Sequence, residues 1–240
     1  MSRHSYRRVM LKLSGEILQG SSESGIDKDA IFSFCQEIAG HAKKGTEFAI
    51  VIGGGNFWRF RDQKALCLQR TVSDNIGMLA TLMNALALND VFHSLKSKSA
   101  AFSAISSPRV IEDYTPRAAL MSLDSGCIVI CAGGTGNPFF STDSAAALRG
   151  LELECDVLLK ATNVDFVYDK DPKKFKDARK FERISFQEVL EKRLGVMDLT
   201  AISLCQDNGL PIQLFNMQKK GNLTRILNGE TVGTLIDSSH

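Results

Sequence analysis

The chemistry indicated by this sequence is the binding of phosphate groups, because two cationic side chains accompany glycine-rich turns. Lys12 lies in an apolar run at residues 9–15 (VMLKLSG), and Arg59 follows a second run at 48–55 (FAIVIGGG). A third run, at 128–136 (IVICAGGTG), also ends in glycines. Glycine lets backbone N–H groups approach an anion without a Cβ atom in the way. Three such turns predict a crevice lined with N–H groups and large enough for more than one phosphorylated ligand, and we expect these ligands to be nucleotides.

Each of these side chains also has an ordinary structural interpretation. Lys12 could face solvent from its strand, and Arg59 could be a surface arginine rather than a bidentate phosphate donor. Trp58 could stack on a base, or pack in the core or at an interface. Two common phosphate motifs do not occur in the sequence: there is no GxxxxGK[ST], and no glycines fit GxGxxG followed by an acidic residue about 20 positions later. A P-loop kinase is therefore excluded.

Carboxylates near the predicted junctions between strands and helices are the second group of candidates. They are Asp74, Asp143, Asp165, Asp169, Asp171 and Asp198. One of them is expected to orient Lys12 or to lie beside bound Mg²⁺, and Asp143 is the one candidate for contact with the metal. The structural alternatives are that Asp143 only favours a helix dipole and that Asp198 only caps a helix.

The elements that would position these residues are apolar strands alternating with amphipathic helices, which is typical of an α/β fold with a mostly parallel sheet. Besides the strand that contains Lys12, strands are predicted at 48–52, 128–131, 157–160, 212–215 and 232–236. Helices are predicted over 27–45, about 74–95, 116–126, 142–150, 185–195 and 198–209. The helix from about residue 74 is apolar on most sides, as in a central helix or one at a subunit interface. Residues 161–180 are predicted to form a long polar loop of the kind that is usually functional.

Length and composition limit the class of protein. The 240 residues are 44% hydrophobic and 23% charged, which predicts one domain over 1–240 whose continuous sheet has two lobes, about 1–160 and about 161–240. The formal net charge of +2 argues against a nucleic-acid coat protein. No run approaches 18 apolar residues, and MSRHSYRR is not followed by a hydrophobic segment, so we expect a cytoplasmic protein with no membrane association. Six cysteines without CxxC spacing are expected to be reduced and structural.

Six segments of the chain resemble the bacterial uridylate kinases (UMP kinases) of the amino-acid-kinase superfamily. They are LKLSGE, IGGGNFWR, GMLATLMNALAL, AGGTGNPFFSTDSAAALRG, LLKATNVDFVYDKDP and GVMDLTA, and the match runs from about residue 7 to 236. The GTGNPFF(S/T)TD segment is distinctive for these enzymes within the superfamily. The resemblance implies Mg²⁺-dependent transfer of the γ-phosphate of ATP to UMP, giving UDP and ADP for pyrimidine nucleotide biosynthesis. It also implies a three-layer αβα sandwich around a mainly parallel sheet, a homohexamer, and inhibition by UTP at the UMP site.

The resemblance implies a role for each matching residue. The residues that match the ATP site are Lys12, Leu13, Ser14, Gly15, Gly55, Arg59, Thr162, Tyr168 and Asp171. Those that match the UMP site are Gly54, Asp74, Thr135, Gly136, Asn137, Pro138, Phe139, Phe140, Ser141 and Thr142. Lys12, Arg59 and Asp198 match the catalytic residues near the transferring phosphoryl group. The predicted lobes then become a UMP side, about 1–160, and an ATP side, about 161–240.

Two functions other than that of a UMP kinase are alternatives for this chain. Another kinase of the superfamily, acting on a carboxylate or carbamate, would share LKLSG and GGGN but lack GTGNPFFSTD. A nucleotide-sensing regulator could keep the fold without catalysis, but the joint presence of Lys12, Arg59, Asp143 and Asp198 argues against that.

The expected regulatory site differs from the pattern of the family. Many members from Gram-negative bacteria are activated by GTP between subunits, and a triphosphate site should be rich in arginine. Here His93 matches that site, whereas Asn89, Ala100 and Cys127 stand where the resemblance would place arginines. We therefore expect GTP activation to be weak or absent.

Overall fold

The computed structural model describes residues 6–59, 67–170, 172 and 174–238, and a nine-stranded sheet forms its centre. The strands are β1 (Arg8–Leu13), β2 (Glu47–Ile52), β3 (Ser99–Ser103), β4 (Glu112–Asp113), β5 (Ile128–Ala132), β6 (Val157–Thr162), β7 (Val167–Tyr168), β8 (Lys180–Phe181), β9 (Arg183–Ser185), β10 (Ile212–Asn216) and β11 (Thr234–Asp237). The sheet order is β4–β3–β5–β2–β1–β6–β10–β11–β9, and only the β10–β11 pair is antiparallel. Strands β7 and β8 form a separate antiparallel ribbon.

Helices cover both faces of the sheet. They are α1 (Glu16–Gln19), α2 (Lys28–Ala42), α3 (Arg70–Ser94), α4 (Pro116–Asp124), α5 (Thr142–Glu152), α6 (Phe186–Glu191), α7 (Leu199–Asn208) and α8 (Asn222–Leu227). Alternate residues of β1 enter two different cores: Val9 and Leu11 pack in the core with α2, α3 and α8, and Met10 packs in the core with α4 to α7. The predicted three-layer αβα sandwich around a mainly parallel sheet is therefore confirmed.

Capping side chains explain why the predicted helix starts are largely correct. Asp27 Oδ1 accepts a hydrogen bond from the Ala30 N–H at 2.8 Å at the start of α2. Thr115 caps α4, in which Pro116 occupies the first turn. Ser185 caps α6, at the start that was predicted for that helix. Gly209, with φ of +68°, ends α7 in the left-handed conformation that favours glycine.

The start of α3 differs from the prediction. The helix begins at Arg70, four residues before Asp74, so Asp74 lies inside the helix rather than at its junction. The N-cap residue is Gln69, whose side chain makes no capping hydrogen bond. The sequence therefore carries no start signal at the true boundary.

Several short elements were not predicted. Residues 161–180 are not all loop, because this segment carries the end of β6 and the strand β7, and it ends in the first residue of β8. Strand β3 (SAAFS) has one large apolar residue, so its sequence lacks the usual strand signal. Elements α1, α8, β4 and β9 are six residues or fewer, too short for a periodic pattern.

Some of the expectations from length and composition can be compared with the described structure. Across the described ranges, no helix combines the length and apolar character that crossing a bilayer requires. Within the described residues, none of the six cysteines forms a disulfide, and four of them are buried, as expected for structural cysteines. The division into two lobes near residue 160 remains a prediction, and it falls within β6.

Candidate active site

The three glycine turns meet at the carboxyl ends of the central strands. A Cβ atom at Gly15 would lie 2.6 Å from the Gly53 carbonyl oxygen, so the first two turns pack backbone against backbone. A Cβ atom at Gly54 would lie 2.7 Å from the Gly77 carbonyl oxygen in α3. In the third turn, Gly133 and Gly136 have φ values of +74° and +81°. These positions require glycine, and together the turns form the predicted crevice.

Two lysines from adjacent strands converge on one carboxylate in this crevice. Lys12 of β1 and Lys160 of β6 are direct neighbours in the parallel register. Lys12 Nζ lies 2.6 Å from Asp143 Oδ1, and Lys160 Nζ lies 2.7 Å from Asp143 Oδ2. All three side chains are less than 15% exposed. Lys12 is therefore a mostly buried, paired lysine and not the solvent-facing one that was the structural alternative.

The charges of this cluster are coupled. Burial by itself would raise the pKa of Asp143, but the ammonium groups of Lys12 and Lys160 outweigh burial, and the pKa lies below its ordinary value. Burial, with Lys12 as a neighbour of like charge, lowers the pKa of Lys160, although Asp143 opposes that shift. Two ammonium groups thus share one carboxylate, which leaves an excess of positive charge for an incoming anion.

Lys160 is the main residue that sequence reasoning missed. A signal was present, because VLLK in β6 repeats the pattern of VMLK in β1, and both lysines interrupt a buried apolar strand. Asp143 orients Lys12, which was one of its two predicted roles. A direct metal contact would have to displace an ammonium group from Asp143, since both of its oxygens face lysines.

Asp198 joins the start of α7 to the start of α5. Its Oδ1 accepts hydrogen bonds from the Ala201 N–H at 2.8 Å and from Ser144 Oγ at 2.9 Å. Its Oδ2 accepts a hydrogen bond from Ser141 Oγ, and Ser141 is itself the N-cap of α5. Asp198 is therefore the N-cap of α7, as the structural alternative predicted. The same carboxylate also fixes the start of α5, the helix that carries Asp143.

Arg59 lies at the second glycine turn, as predicted from its spacing. Its Nε donates to the Gly55 carbonyl oxygen at 2.8 Å, and its Nη2 lies 2.7 Å from Glu16 Oε1. Glu16, which sequence reasoning did not single out, places a carboxylate beside the phosphate turn. Trp58 donates from Nε1 to Ser73 Oγ at 2.8 Å and lines the adjoining cavity.

Three adjoining cavities follow the glycine turns. The first, of about 170 Å³, is lined by residues that include Gly54, Asp74, Asn137, Phe140, Ser141 and Thr142. The second, of about 430 Å³, is lined by Lys12, Ser14, Gly15, Glu16, Gly53, Gly54, Gly55, Arg59, Arg70 and Thr142. The third, of about 260 Å³, includes Lys12, Ser14, Lys160, Thr162 and Met217. Gly54 and Thr142 are shared by the first two cavities and Lys12 by the last two, so one continuous crevice passes Lys12.

Some predicted site residues lie elsewhere. Tyr168 lines a separate cavity of about 480 Å³ with residues that include Leu194 and Gly195, and not the cavity that contains Thr162. The Leu13 side chain is fully buried, which leaves only its backbone for a ligand. Asp171 lies outside the described residues.

Part of the predicted UMP segment lies beside the first cavity without lining it. Thr135 Oγ1 accepts a hydrogen bond from the Asn137 N–H at 3.2 Å within its own turn. In the described structure, Thr135, Gly136, Pro138 and Phe139 do not belong to the lining of that cavity. Phe139 instead donates its N–H to Asp74 Oδ2 at 2.8 Å, which ties this segment to α3.

A crevice that follows glycine turns past Lys12 and continues to Lys160 fits a phosphotransferase, which needs positive charge and aligned phosphate sites. Residues 7–216 match the model of the amino acid kinase family, and the chain belongs to that family.

Its similar relatives include uridylate kinases. The chain is 48% identical over 232 residues to the uridylate kinase of Chromohalobacter salexigens, covering 97% of this chain and 92% of that protein. The crystal structure of UMP kinase from Bacillus anthracis superposes with a TM-score of 0.96 at 35% identity, covering 99% of this chain and 98% of the other. UMP kinase from Ureaplasma parvum superposes with a TM-score of 0.92 at 34% identity, covering 97% and 99% of the two chains.

Proposed function

We propose that this chain is a UMP kinase, which transfers the γ-phosphate of ATP to UMP and gives UDP and ADP. The observation that carries this proposal is the continuous crevice past Lys12, because its first cavity adjoins at Gly54 and Thr142 a second cavity that Lys12 lines, and the third cavity continues from there to Lys160. The 48% identity to a uridylate kinase supports UMP as the acceptor.

The acceptor UMP occupies the first cavity in this proposal. Asp74 and Asn137 supply polar groups, while Ser141 and Thr142 stand at the start of α5, where the backbone N–H groups of a helix favour an anion. Phe140 also lines this cavity, and Thr135, Gly136, Pro138 and Phe139 shape the turn beside it. A kinase for a carboxylate or carbamate is the second candidate, but the GTGNPFFSTD segment at this cavity favours UMP.

The donor ATP occupies the lysine side of the crevice. Ser14, Gly15 and Gly55 present the turns for its phosphates, and Thr162 lines the cavity that continues from Lys12. Contacts of Tyr168, which lines a separate cavity, and of Asp171, which lies outside the described residues, with the adenosine remain predictions from the resemblance.

Transfer requires two anions to come together. Two unit charges about 4 Å apart repel by roughly 4 kcal/mol at an effective dielectric constant near 20. Lys12, Lys160 and Arg59 oppose this repulsion, and Asp143 holds the two lysines in place before the ligands bind. A phosphate oxygen of UMP attacks the γ-phosphorus, and the bond to the β-phosphate oxygen of ATP breaks. Since the acceptor phosphate is largely a dianion at neutral pH, no general base is needed.

Mg²⁺ would neutralise charge between the phosphates. Among the described residues, no three His, Cys, Asp or Glu side chains cluster to hold a metal. The nearby carboxylates of Glu16, Asp143 and Asp198 already contact Arg59, two lysines, and hydroxyl or N–H donors. The nucleotide phosphates would therefore hold Mg²⁺, which would supply positive charge between them, and Asp143 would contact it only through water.

The outer face of α3 supports the proposed homohexamer. Leu79, Met83 and Val110 are exposed apolar residues along a groove of about 540 Å³. Exposed apolar patches of this kind mark subunit interfaces. A solution mass near six times 26.3 kDa is the expected result of light scattering.

Two regulatory properties complete the proposal. UTP competes at the UMP site, and GTP activates weakly or not at all. Asn89 Oδ1 accepts a hydrogen bond from Ser99 Oγ at 2.8 Å. Asn89, Ala100 and Cys127 therefore offer no guanidinium group at the positions where the resemblance would place arginines. Each missing charge-assisted hydrogen bond weakens a triphosphate site by about 1.5–3 kcal/mol. Initial rates at sub-saturating ATP, with and without GTP, test this: a several-fold rise at micromolar GTP would contradict it.

An ADP-release assay with four acceptors tests the proposed function. We expect ADP formation with UMP and Mg²⁺, much less with CMP, and none with acetylglutamate or carbamate. A site built to pair with one base edge discriminates strongly, because a mismatched base leaves buried polar groups unpaired. Equal turnover of CMP and UMP would contradict the predicted acceptor specificity.

A further inference from the structure

Arg70 connects the acceptor cavity with the cavity of the phosphate turns. It is the first residue of α3, and its Nε lies 2.8 Å from both carboxylate oxygens of Asp74. Arg70 lines the second cavity, which also contains Lys12 and Arg59, whereas Asp74 lines the first. The pair thus spans the point where the two cavities adjoin.

The hydrogen bonds to Asp74 leave its carboxylate little freedom. Oδ2 accepts from Arg70 Nε and from the Phe139 N–H, each at 2.8 Å, and Oδ1 accepts from Arg70 Nε. Each carboxylate oxygen accepts about two hydrogen bonds. Oδ1 therefore retains one acceptor position for a ligand, and Arg70 determines where that position points.

The third member of the cluster is Phe139, which has an uncommon backbone. Its φ is +71°, in the left-handed region where an aromatic residue is strained, and its side chain is 68% exposed. The Arg70 guanidinium lies 5.9 Å from the centre of the Phe139 ring. Asp74 thus holds the strained turn by accepting a hydrogen bond from the Phe139 N–H, and the Arg70 guanidinium contacts the Phe139 ring.

An ordinary ion pair on a helix surface would not have these features. Solvent-exposed ion pairs between helix residues four positions apart contribute little to the free energy of folding. Here the carboxylate side chain is only 15% exposed and also binds a segment 65 residues away in the sequence.

We propose that Arg70 is a positioning residue for the acceptor nucleotide, which acts by aiming Asp74 into the acceptor cavity and by fixing the turn at Phe139. This inference rests on the proposed function for the identity of the acceptor. The chemistry at Asp74 Oδ1 fits a hydroxyl donor of the acceptor, such as a ribose hydroxyl, because a carboxylate only accepts hydrogen bonds.

Steady-state kinetics of Arg70→Gln test the proposal. We expect KM for UMP to rise about tenfold, the equivalent of one charge-assisted hydrogen bond, while kcat and KM for ATP stay within about twofold. Arg70→Lys keeps the charge and should recover part of the loss. Arg225→Gln is the matched control, since Arg225 pairs with Glu230 at 2.7 Å and is 52% exposed against 50% for Arg70. The control should leave all three constants unchanged.

A double-mutant cycle separates positioning from direct phosphate binding. If Arg70 acts through Asp74, adding Arg70→Gln to Asp74→Asn changes KM for UMP much less than it does in the unsubstituted chain. Additive effects, or a fall in kcat with an unchanged KM for UMP, would overturn the proposal.

Hydrogen exchange at the Phe139 amide gives a readout that does not depend on turnover. Exchange should be faster in Arg70→Gln and unchanged in Arg225→Gln, with circular dichroism confirming that both variants are folded. Unchanged protection of Phe139 in Arg70→Gln would overturn the inference even if UMP is the acceptor. Failure of the unsubstituted chain to phosphorylate UMP would instead contradict the proposed function.

Discussion

At the scale of single residues, the mostly buried cluster of Lys12, Asp143 and Lys160 is the feature on which the proposed chemistry depends. Two ammonium groups next to each other with little contact with water are unfavourable unless a carboxylate pairs with both. Asp143 meets that need, and its pKa is lowered because the two lysines outweigh burial. A site that carries this electrostatic cost before any ligand binds is arranged for an anion rather than for stability alone.

Removing one lysine tests this view of the cluster. Lys12→Ala should lower kcat by about 10²-fold or more, the typical loss for one preorganised charge-stabilising donor. Lys219→Ala is the control, because Lys219 pairs with Asp165 at 2.7 Å but is 59% exposed and lies outside the three cavities of the crevice in the described structure. A Lys12→Ala enzyme with normal kcat and a native circular dichroism spectrum would remove Lys12 from the mechanism.

At the scale of elements, the starts of α5 and α7 are built as one unit. Ser141 caps α5 and donates to Asp198, while Asp198 caps α7 and accepts from Ser144 of α5. The position of Asp143 in the first turn of α5 therefore depends on the carboxylate that begins α7. In the proposed function, one aspartate can thus be both a helix cap and a residue that affects activity.

Asp198→Asn separates these two roles. Asn caps a helix as well as Asp, so the melting temperature should change little. The Ser141 hydroxyl loses its acceptor, because Nδ2 is a donor and Ser141 Oγ already accepts N–H groups of Asp143 and Ser144. We expect kcat to fall about tenfold, as for one hydrogen bond to a charged group.

The N-cap of α6 provides the matched control for this substitution. Ser185→Ala removes the bond to the Glu188 N–H at 3.2 Å, so it should lower the melting temperature and leave kcat unchanged. If Asp198→Asn also leaves kcat unchanged, Asp198 is a cap and nothing more.

A hydrogen bond between α2 and α8 predicts how the free energy of unfolding depends on pH. His41 Nε2 lies 3.0 Å from Thr224 Oγ1, and burial, with Lys44 as a second cause, lowers the pKa of His41. Because the folded pKa lies below the ordinary 6.5, the unfolded chain binds the proton more readily. The free energy of unfolding should therefore fall as pH drops below about 6.5 towards the folded pKa.

Urea unfolding at pH 7.5 and at pH 5.5 measures this contribution. His41→Gln, which does not titrate, should reduce the loss of stability between the two pH values. An identical loss in both proteins would show that His41 does not contribute to the pH dependence.

At the scale of the whole molecule, one sheet brings distant segments of the chain to a single edge. The strands β2, β1 and β6 are adjacent, so turns separated by more than 100 residues in sequence meet at their carboxyl ends. This is where ligands of open α/β sheets bind. The apolar outer face of α3 is also a feature of the whole molecule, because in the proposed homohexamer a second copy of the chain covers it.

The sequence predicted this arrangement where local signals were strong. The glycine turns, the strand with Lys12 and the helix starts near Asp27, Thr115 and Asp198 each have a physical cause that acts within a few residues. Lys160 and Arg70 were missed because their importance depends on partners in other elements, Asp143 and Phe139. The ribbon of β7 and β8 was missed because two-residue strands leave no periodic pattern.

Phosphorus NMR of the complete reaction tests the central claim most directly. The unsubstituted chain, ATP, UMP and Mg²⁺ are mixed, and the resonances of the products are followed over time. We expect UDP and ADP to appear in equal amounts while inorganic phosphate does not accumulate. ADP accompanied by inorganic phosphate, with UMP unchanged, would contradict phosphoryl transfer to UMP.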